Sequence, residues 1–303
     1  MDWTDIARRE LGLTYARLEN CSETGESATI KIMGVIKISP DLSELELLQK
    51  MEWALGLNYG LTFPQFRYLG EISGKHMIEL EYVGDKNLEE MLIGNYSEAN
   101  LIPSDIIGQA MMHIIRMAGV RPVSGEHGYA DMFLSEVADG LENNVFAAGL
   151  TVDFPLGETF SQRVKFIPTL CHRDFSVTNF MYNTDGDTRL IDPRQKVPGA
   201  KVESCIYGSA AIDCASFLVS LERKELERAH LGMPSLGLYD LFEEKMKFLM
   251  GEGLFNEFMY NLCIAYSYSI YAACRCEYCL APERRWLYEL MRKRLVNSIR
   301  RII

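Results

Sequence analysis

The run CHRDFSVTNFMYNTDGDTRLIDPR, residues 171–194, places Asp174, Asn179 and Asp192 at fixed intervals: Asn179 follows Asp174 by five residues and Asp192 follows Asn179 by thirteen. Asp185-Gly186 is a favoured two-residue turn between the apolar runs FMY and RLI, so the middle of the run reads as a strand–turn–strand hairpin. Such a hairpin folds Asn179 and Asp192 back toward each other, where an amide oxygen and a carboxylate can share a hard divalent cation. Asp174, on the preceding loop, is then placed to accept a proton from an attacking hydroxyl. Together these are the needs of phosphoryl transfer: a metal held on nucleotide phosphates and a base that orients the nucleophile. A calcium loop is the competing reading of Asn183, Asp185 and Asp187. It fails because Thr188 stands where that loop requires glycine and Arg194 where it requires glutamate.

The elements that must position this run change character along the chain. SATIKIMGVIKIS gives two β-runs, residues 27–33 and 35–39, pinched at Gly34 and rich in β-branched residues. Leu45, Leu48, Met51 and Leu55 then fall on one side of a helix that stops near Gly56 to Gly60, and FRYLGEI and KHMIELEYV return to strands. After Gly84 helices dominate. Ile107, Met111, Ile114 and Ile115 mark one, residues 132–145 another, and residues 241–249, 255–274 and 283–302 three more. The expectation is an α+β chain, with a small β-rich part over residues 1–84 and a larger, mainly helical part over 85–303.

Composition narrows the partners. The 31 Lys and Arg against 42 Asp and Glu give a net charge of −11, which disfavours nucleic acid and anionic membrane as partners. The N-terminal MDWTDIARRE shows no secretory signal, and the apolar run 258–273 is interrupted by Asn261, Ser267 and Ser269. It reads as a buried helix in a cytoplasmic protein. The eight cysteines mostly have apolar neighbours and read as reduced core thiols; CRCEYC, residues 274–279, lacks a second ligand pair for zinc. The arginines and lysine of residues 284–301 read as the solvated basic face of the last helix.

HRDFSVTN resembles the kinase catalytic loop H-R-D-L-x-x-x-N, with Phe175 in place of leucine, and Asp192 stands where the D-F-G motif has its metal-binding aspartate. Asp192-Pro193-Arg194 departs from D-F-G and resembles the aminoglycoside/choline phosphotransferase family. That resemblance implies a two-lobed protein-kinase-like fold and an ATP- or GTP-dependent kinase acting on a small molecule. Asn179 and Asp192 would hold Mg2+, and Asp174 would act as base. Lys37 resembles the phosphate-steadying lysine and Glu44 its helix partner, with Lys31 and Glu46 as competing choices. Backbone groups near Glu81 to Val83 resemble the adenine-binding hinge, and Asp213 the aspartate that braces the catalytic loop. His172 and Arg173 are expected to brace that loop.

Only Gly25 occurs in the phosphate-covering segment 19–30, where Ser22, Thr24 and Ser27 offer hydroxyl or backbone donors and a plain hairpin turn fits as well. The expected partners are a nucleoside triphosphate and a small hydroxylated acceptor: aminoglycoside, amino-alcohol, sugar or nucleoside. Asp131, Glu136, Asp139, Glu142 and Glu277 suit a cationic acceptor or are wet helix faces, whereas Arg194 suits a carboxylate or phosphate on the acceptor. A catalytically silent nucleotide-binding module is the alternative. A protein kinase is disfavoured, because no A-P-E lies between Asp192 and Asp213.

Overall fold

The computed structural model describes residues 19–24, 27–31, 34–39, 42–84, 86–93, 102–123, 128–151, 162–182, 186–200, 206–274, 282 and 284–303. The chain divides into two compact units: Met1–Asp85 with Met181–Ile191, and Lys86–Phe180 with Asp192–Ile303. The excursion 181–191 counts with the first unit, where Leu190 N–H donates to Thr62 O at 2.7 Å.

In the first unit β1 (Glu19–Thr24), β2 (Ser27–Lys31), β3 (Gly34–Ser39), β4 (Phe66–Ile72) and β5 (Lys75–Glu81) form an antiparallel sheet in the order β1-β2-β3-β5-β4. Between β3 and β4 runs α1, Ser43–Leu55, followed by a 3-10 turn over Gly56–Leu61. Leu45, Leu48, Met51 and Leu55 are all buried, as their spacing requires. Leu45 and Leu48 pack with Ile78 and Leu80 of β5, joined by Val35 and Phe66. Register pairs Val35 with Leu80 and Lys37 with Ile78, so Lys37 shares the sheet face on which this cluster sits.

The second unit is helical: α2 (Leu88–Ile93), α3 (Pro103–Ala118), α4 (Tyr129–Ala147), α5 (Ala210–His230), α6 (Leu238–Gly251), α7 (Glu257–Ala273) and α8 (Arg285–Ile302). Periodicity located α3, α4, α6, α7 and α8 but passed over α5. Sixteen of its 21 residues are buried, so no polar stripe marks its period. Ile115, expected on the apolar face of α3, is 47% exposed. Helix α4 carries Gly140 where a Cβ would come within 2.9 Å of the Tyr266 ring on α7; only glycine permits that approach. Helix α7 covers the apolar run and is buried along most of its length. Among the described residues no helix is long and apolar enough to cross a membrane. On α8, Arg285, Lys293, Arg300 and Arg301 are exposed, while Arg294 pairs with Glu222 at 2.9 Å. Within CRCEYC only Cys274 is described, and Glu277 lies outside the described residues.

Candidate active site

The loop that begins at His172 is held from below by α5. Its N-cap, Ser209, accepts a hydrogen bond from Ala211 N–H, and Asp213 follows in the first turn. Asp213 accepts from the backbone N–H of His172 at 2.9 Å and of Arg173 at 2.8 Å. Further along, Ser220 Oγ accepts from Val177 N–H. Phe175, where the kinase pattern has leucine, is fully buried and stacks on Phe217 with centroids 4.7 Å apart. The loop is thus bolted to one helix by two amides, a hydroxyl and an aromatic pair.

Burial raises the Asp213 carboxyl from its usual 3.8 to about 7, against the pull of the two loop amides and Arg173. Its folded value lies above its unfolded one, so its contribution to stability is complete below 3.8 and is lost as pH rises through about 7. Thermal unfolding between pH 4 and 8 should therefore show the wild-type midpoint falling relative to Asp213→Asn across that window and levelling above it. The expected change is several degrees, at roughly 2–4 °C per kcal/mol in a chain of this size. A pH-independent difference would mean that Asp213 is ionised throughout.

Arg173 and Glu136 of α4 are both fully buried. Arg173 Nη1 donates to both carboxylate oxygens of Glu136 at 2.8 Å, and Nη2 donates to Tyr207 O at 2.9 Å. Glu136 Oε1 also accepts from Val197 N–H. This overturns both expectations for Glu136, which neither lines an acceptor site nor forms a wet helix face. Asp131 and Glu142 are the exposed acids of α4. His172, also fully buried, accepts at Nδ1 from Asp174 N–H at 3.3 Å.

Asp174, Asn179, Asp192 and Arg194 come together on this frame. Asn179 Nδ2 donates to Asp174 O at 2.8 Å. Arg194 Nε donates to Asp174 Oδ2 at 2.6 Å, and Arg194 N–H donates to His172 O at 3.0 Å. Burial pushes the Asp174 carboxyl above its usual range; Arg194 and Asn179 draw it back, while the negative charge of Asp192 adds to the rise. Three described non-glycine residues have positive φ, and two of them are Arg173 at 67° and Asp192 at 56°. A left-handed backbone at a non-glycine residue costs about 1–3 kcal/mol and persists only where its surroundings hold it, and such residues gather at functional sites.

The donor set at Asn179 and Asp192 suits a hard divalent cation. Because Asn179 gives its amide N–H to Asp174 O, its Oδ1 is the atom left to coordinate, and Asp192 supplies a carboxylate. Among the described residues no group of three or more His, Cys, Asp or Glu side chains is arranged to hold a metal. Magnesium completed by phosphates and water needs no such group.

In the first unit Lys37 Nζ donates to Glu44 Oε1 at 2.6 Å, both side chains being largely shielded, while Glu46 is exposed. The side chain of Lys31 lies outside the described residues. Glu81 N–H is committed to Gln65 O at 2.7 Å and its carboxylate accepts from Gln65 N–H. Val83 makes no hydrogen bond to another described residue. Ser27 opens β2 opposite Thr24; its side chain, like Gly25, lies outside the described residues.

No protein-family model matches the chain, and no curated protein does. Solved structures do match. The crystal structure of aminoglycoside phosphotransferase APH(4)-Ia aligns over 98% of this chain and 98% of its own, with TM-score 0.60 and 12% identity. The chain has the aminoglycoside phosphotransferase fold. A thermostable mutant of that protein, solved as a ternary complex with AMP-PNP and hygromycin B, aligns over 98% of this chain and 97% of its own at TM-score 0.60 and 12% identity. The GDP and kanamycin complex of APH(2")-IIIa aligns over 97% and 98% at TM-score 0.55 and 15% identity. At these identities the shared property is the aminoglycoside phosphotransferase fold, which is protein-kinase-like. Within it, sequence reasoning missed that Arg194 bonds Asp174 and that Glu136 receives Arg173. Neither pairing has a local signal: the partners are 20 and 37 residues apart and meet only once the helices pack.

Proposed function

We propose that the chain is a nucleotide-dependent phosphotransferase that moves a γ-phosphate to a hydroxyl of a small molecule. The observation that carries this reading is Asp174, a shielded carboxylate on a loop fixed by Asp213, beside Asn179 and a left-handed Asp192. Structures of the same fold that hold AMP-PNP with hygromycin B, or GDP with kanamycin, support it. Asn179 and Asp192 would hold Mg2+, which when bound offsets the charge on the β- and γ-phosphates. Asp174 takes the acceptor's proton as its oxygen bonds to the γ-phosphorus. The bridging P–O bond breaks and its electron pair leaves on the β-phosphate, giving the nucleoside diphosphate.

Lys37, held by Glu44, is assigned to the nucleotide phosphates, Val83 to the base, and Ser27 to the phosphate-covering turn. A charge-assisted contact is worth about 1.5–3 kcal/mol, so Lys37→Ala should weaken nucleotide binding roughly ten-fold or more, with Lys31→Ala near wild type. Displacement of a fluorescent nucleotide reads both; a larger loss in the Lys31 variant would transfer the role to that strand. ATP and GTP are tested in parallel.

The decisive experiment is transfer of labelled γ-phosphate from Mg-ATP or Mg-GTP into pooled aminoglycosides, amino-alcohols, sugars and nucleosides, with Asp174→Asn as control. Label that depends on Asp174 supports the reading; nucleotide binding with no transfer to any pool counts against it. A silent nucleotide-binding module is the second reading, favoured by the single glycine in residues 19–30. A protein acceptor is disfavoured, since no A-P-E separates Asp192 from Asp213. A reducing, cytoplasmic setting fits the free thiols of Cys171, Cys214, Cys263 and Cys274.

A further inference from the structure

Arg194 follows the proposed metal-binding aspartate by two residues, and its place is built rather than incidental. Its own N–H is tied to His172 O, and the segment after it is pinned down. Val197 N–H donates to Glu136, and Pro198 O accepts from the Tyr266 hydroxyl at 2.7 Å and from Asn144 Nδ2 at 3.4 Å. Gly199 O accepts from Asn143 Nδ2 at 3.3 Å. The guanidinium gives Nε to Asp174, and among the described residues its two terminal nitrogens have no hydrogen-bond partner. The Arg194 side chain is 54% exposed, against 23% for Asp174, and Lys196 beside it is exposed as well.

A guanidinium carries five N–H donors in a planar fork that matches a carboxylate or phosphate two bonds at a time. Here one edge orients the base and the outer edge is open. We propose that Arg194 recognises an oxyanion on the acceptor, so that the substrate class is a small hydroxylated molecule bearing a carboxylate or phosphate near the reacting hydroxyl, and not a polycation. The proposal rests on the phosphotransferase reading. An anion on the outer edge and Asp174 on the Nε edge occupy neighbouring sides of one rigid group. The hydroxyl that meets Asp174 is therefore only a few bonds from the anion, and a polycation would meet an uncompensated arginine edge beside the base.

The test pairs charged and neutral acceptors: glycerate and glycerol 3-phosphate against glycerol, and glucuronate and glucose 6-phosphate against glucose, with kanamycin as the polycation. Binding is measured by titration in the presence of AMP-PNP, and transfer from labelled Mg-ATP, on wild type, Arg194→Gln and Arg194→Lys. The expected result is at least a roughly ten-fold preference for one or more oxyanion-bearing probes over the neutral analogue. That preference is lost in Arg194→Gln and partly restored in Arg194→Lys, with AMP-PNP affinity unchanged. The carboxylate and phosphate arms tell which oxyanion is used. Equal binding of charged and neutral probes, or kanamycin preferred with no effect of Arg194→Gln, overturns the assignment. Preferential binding that depends on Arg194 but never leads to transfer sinks the phosphotransferase reading instead.

Discussion

Asp174→Asn should lower phosphoryl transfer by about 100- to 10,000-fold, the range expected when a positioned general base is removed. The amide fills the same space and still accepts a hydrogen bond from Arg194 Nε, but it cannot take the acceptor's proton. Nucleotide affinity should hold, because Asp174 is assigned to the acceptor. Stability should change little: the lost partner, Arg194, is 54% exposed, and exposed ion pairs contribute about 0–1 kcal/mol. The comparison variant is Asp192→Asn. Asparagine tolerates the left-handed backbone that Asp192 adopts at φ 56°, so this change removes charge without adding strain. It should weaken Mg2+-dependent nucleotide binding, whereas Asp174→Asn should not. Single-turnover transfer and equilibrium nucleotide binding on the two variants separate the roles. A fall in nucleotide affinity in Asp174→Asn, or full transfer by it, would remove Asp174 from the role of base.

Part of this candidate site is legible in the chain itself. Asp174, Asn179 and Asp192 lie within nineteen residues of one another, on a loop and hairpin whose turn chemistry is local. Short spacing survives folding, so residue types at fixed intervals carried most of the site. Lys37 and Glu44, seven residues apart, were paired by resemblance alone, with Lys31 and Glu46 as competing choices, and the structure joins them at 2.6 Å. What sequence could not supply was the support. Helix α5 escaped periodicity because it is buried on nearly every side, although its Asp213 was recognised by resemblance. Glu136 was misread because an acid in an amphipathic helix is ordinarily solvent-facing, and only the packing of α4 against the loop turns it inward. Arg194 was placed beside the metal position, but its bond to Asp174 depends on the loop and the segment after Asp192 being brought together by His172 O.

The buried pair beneath the loop should produce the largest stability effect in the molecule. Arg173→Met removes the buried guanidinium that bonds both oxygens of the Glu136 carboxylate, while the Val197 N–H still donates to it. Breaking a buried ion pair from one side costs about 3–5 kcal/mol. Glu136→Gln should cost less, because the guanidinium keeps the carbonyls of Gln195 and Tyr207 and lies 5.6 Å from the Phe133 ring centroid. Joined with Glu136→Leu, Arg173→Met should be less damaging than the sum of the two single changes by about 1–3 kcal/mol, since no unpaired charge then remains buried. Arg173 also holds a left-handed backbone at φ 67°, fixed by Asp213 on its N–H and Glu136 on its side chain. A double variant that regains stability should therefore not regain transfer, because the loop carrying Asp174 has lost its clamp to α4. Denaturant unfolding and labelled transfer on the single variants and the double variant decide this. Additive stability losses would mean that the pair is not coupled, and transfer recovering in step with stability would mean that the pair supports the fold without positioning the base.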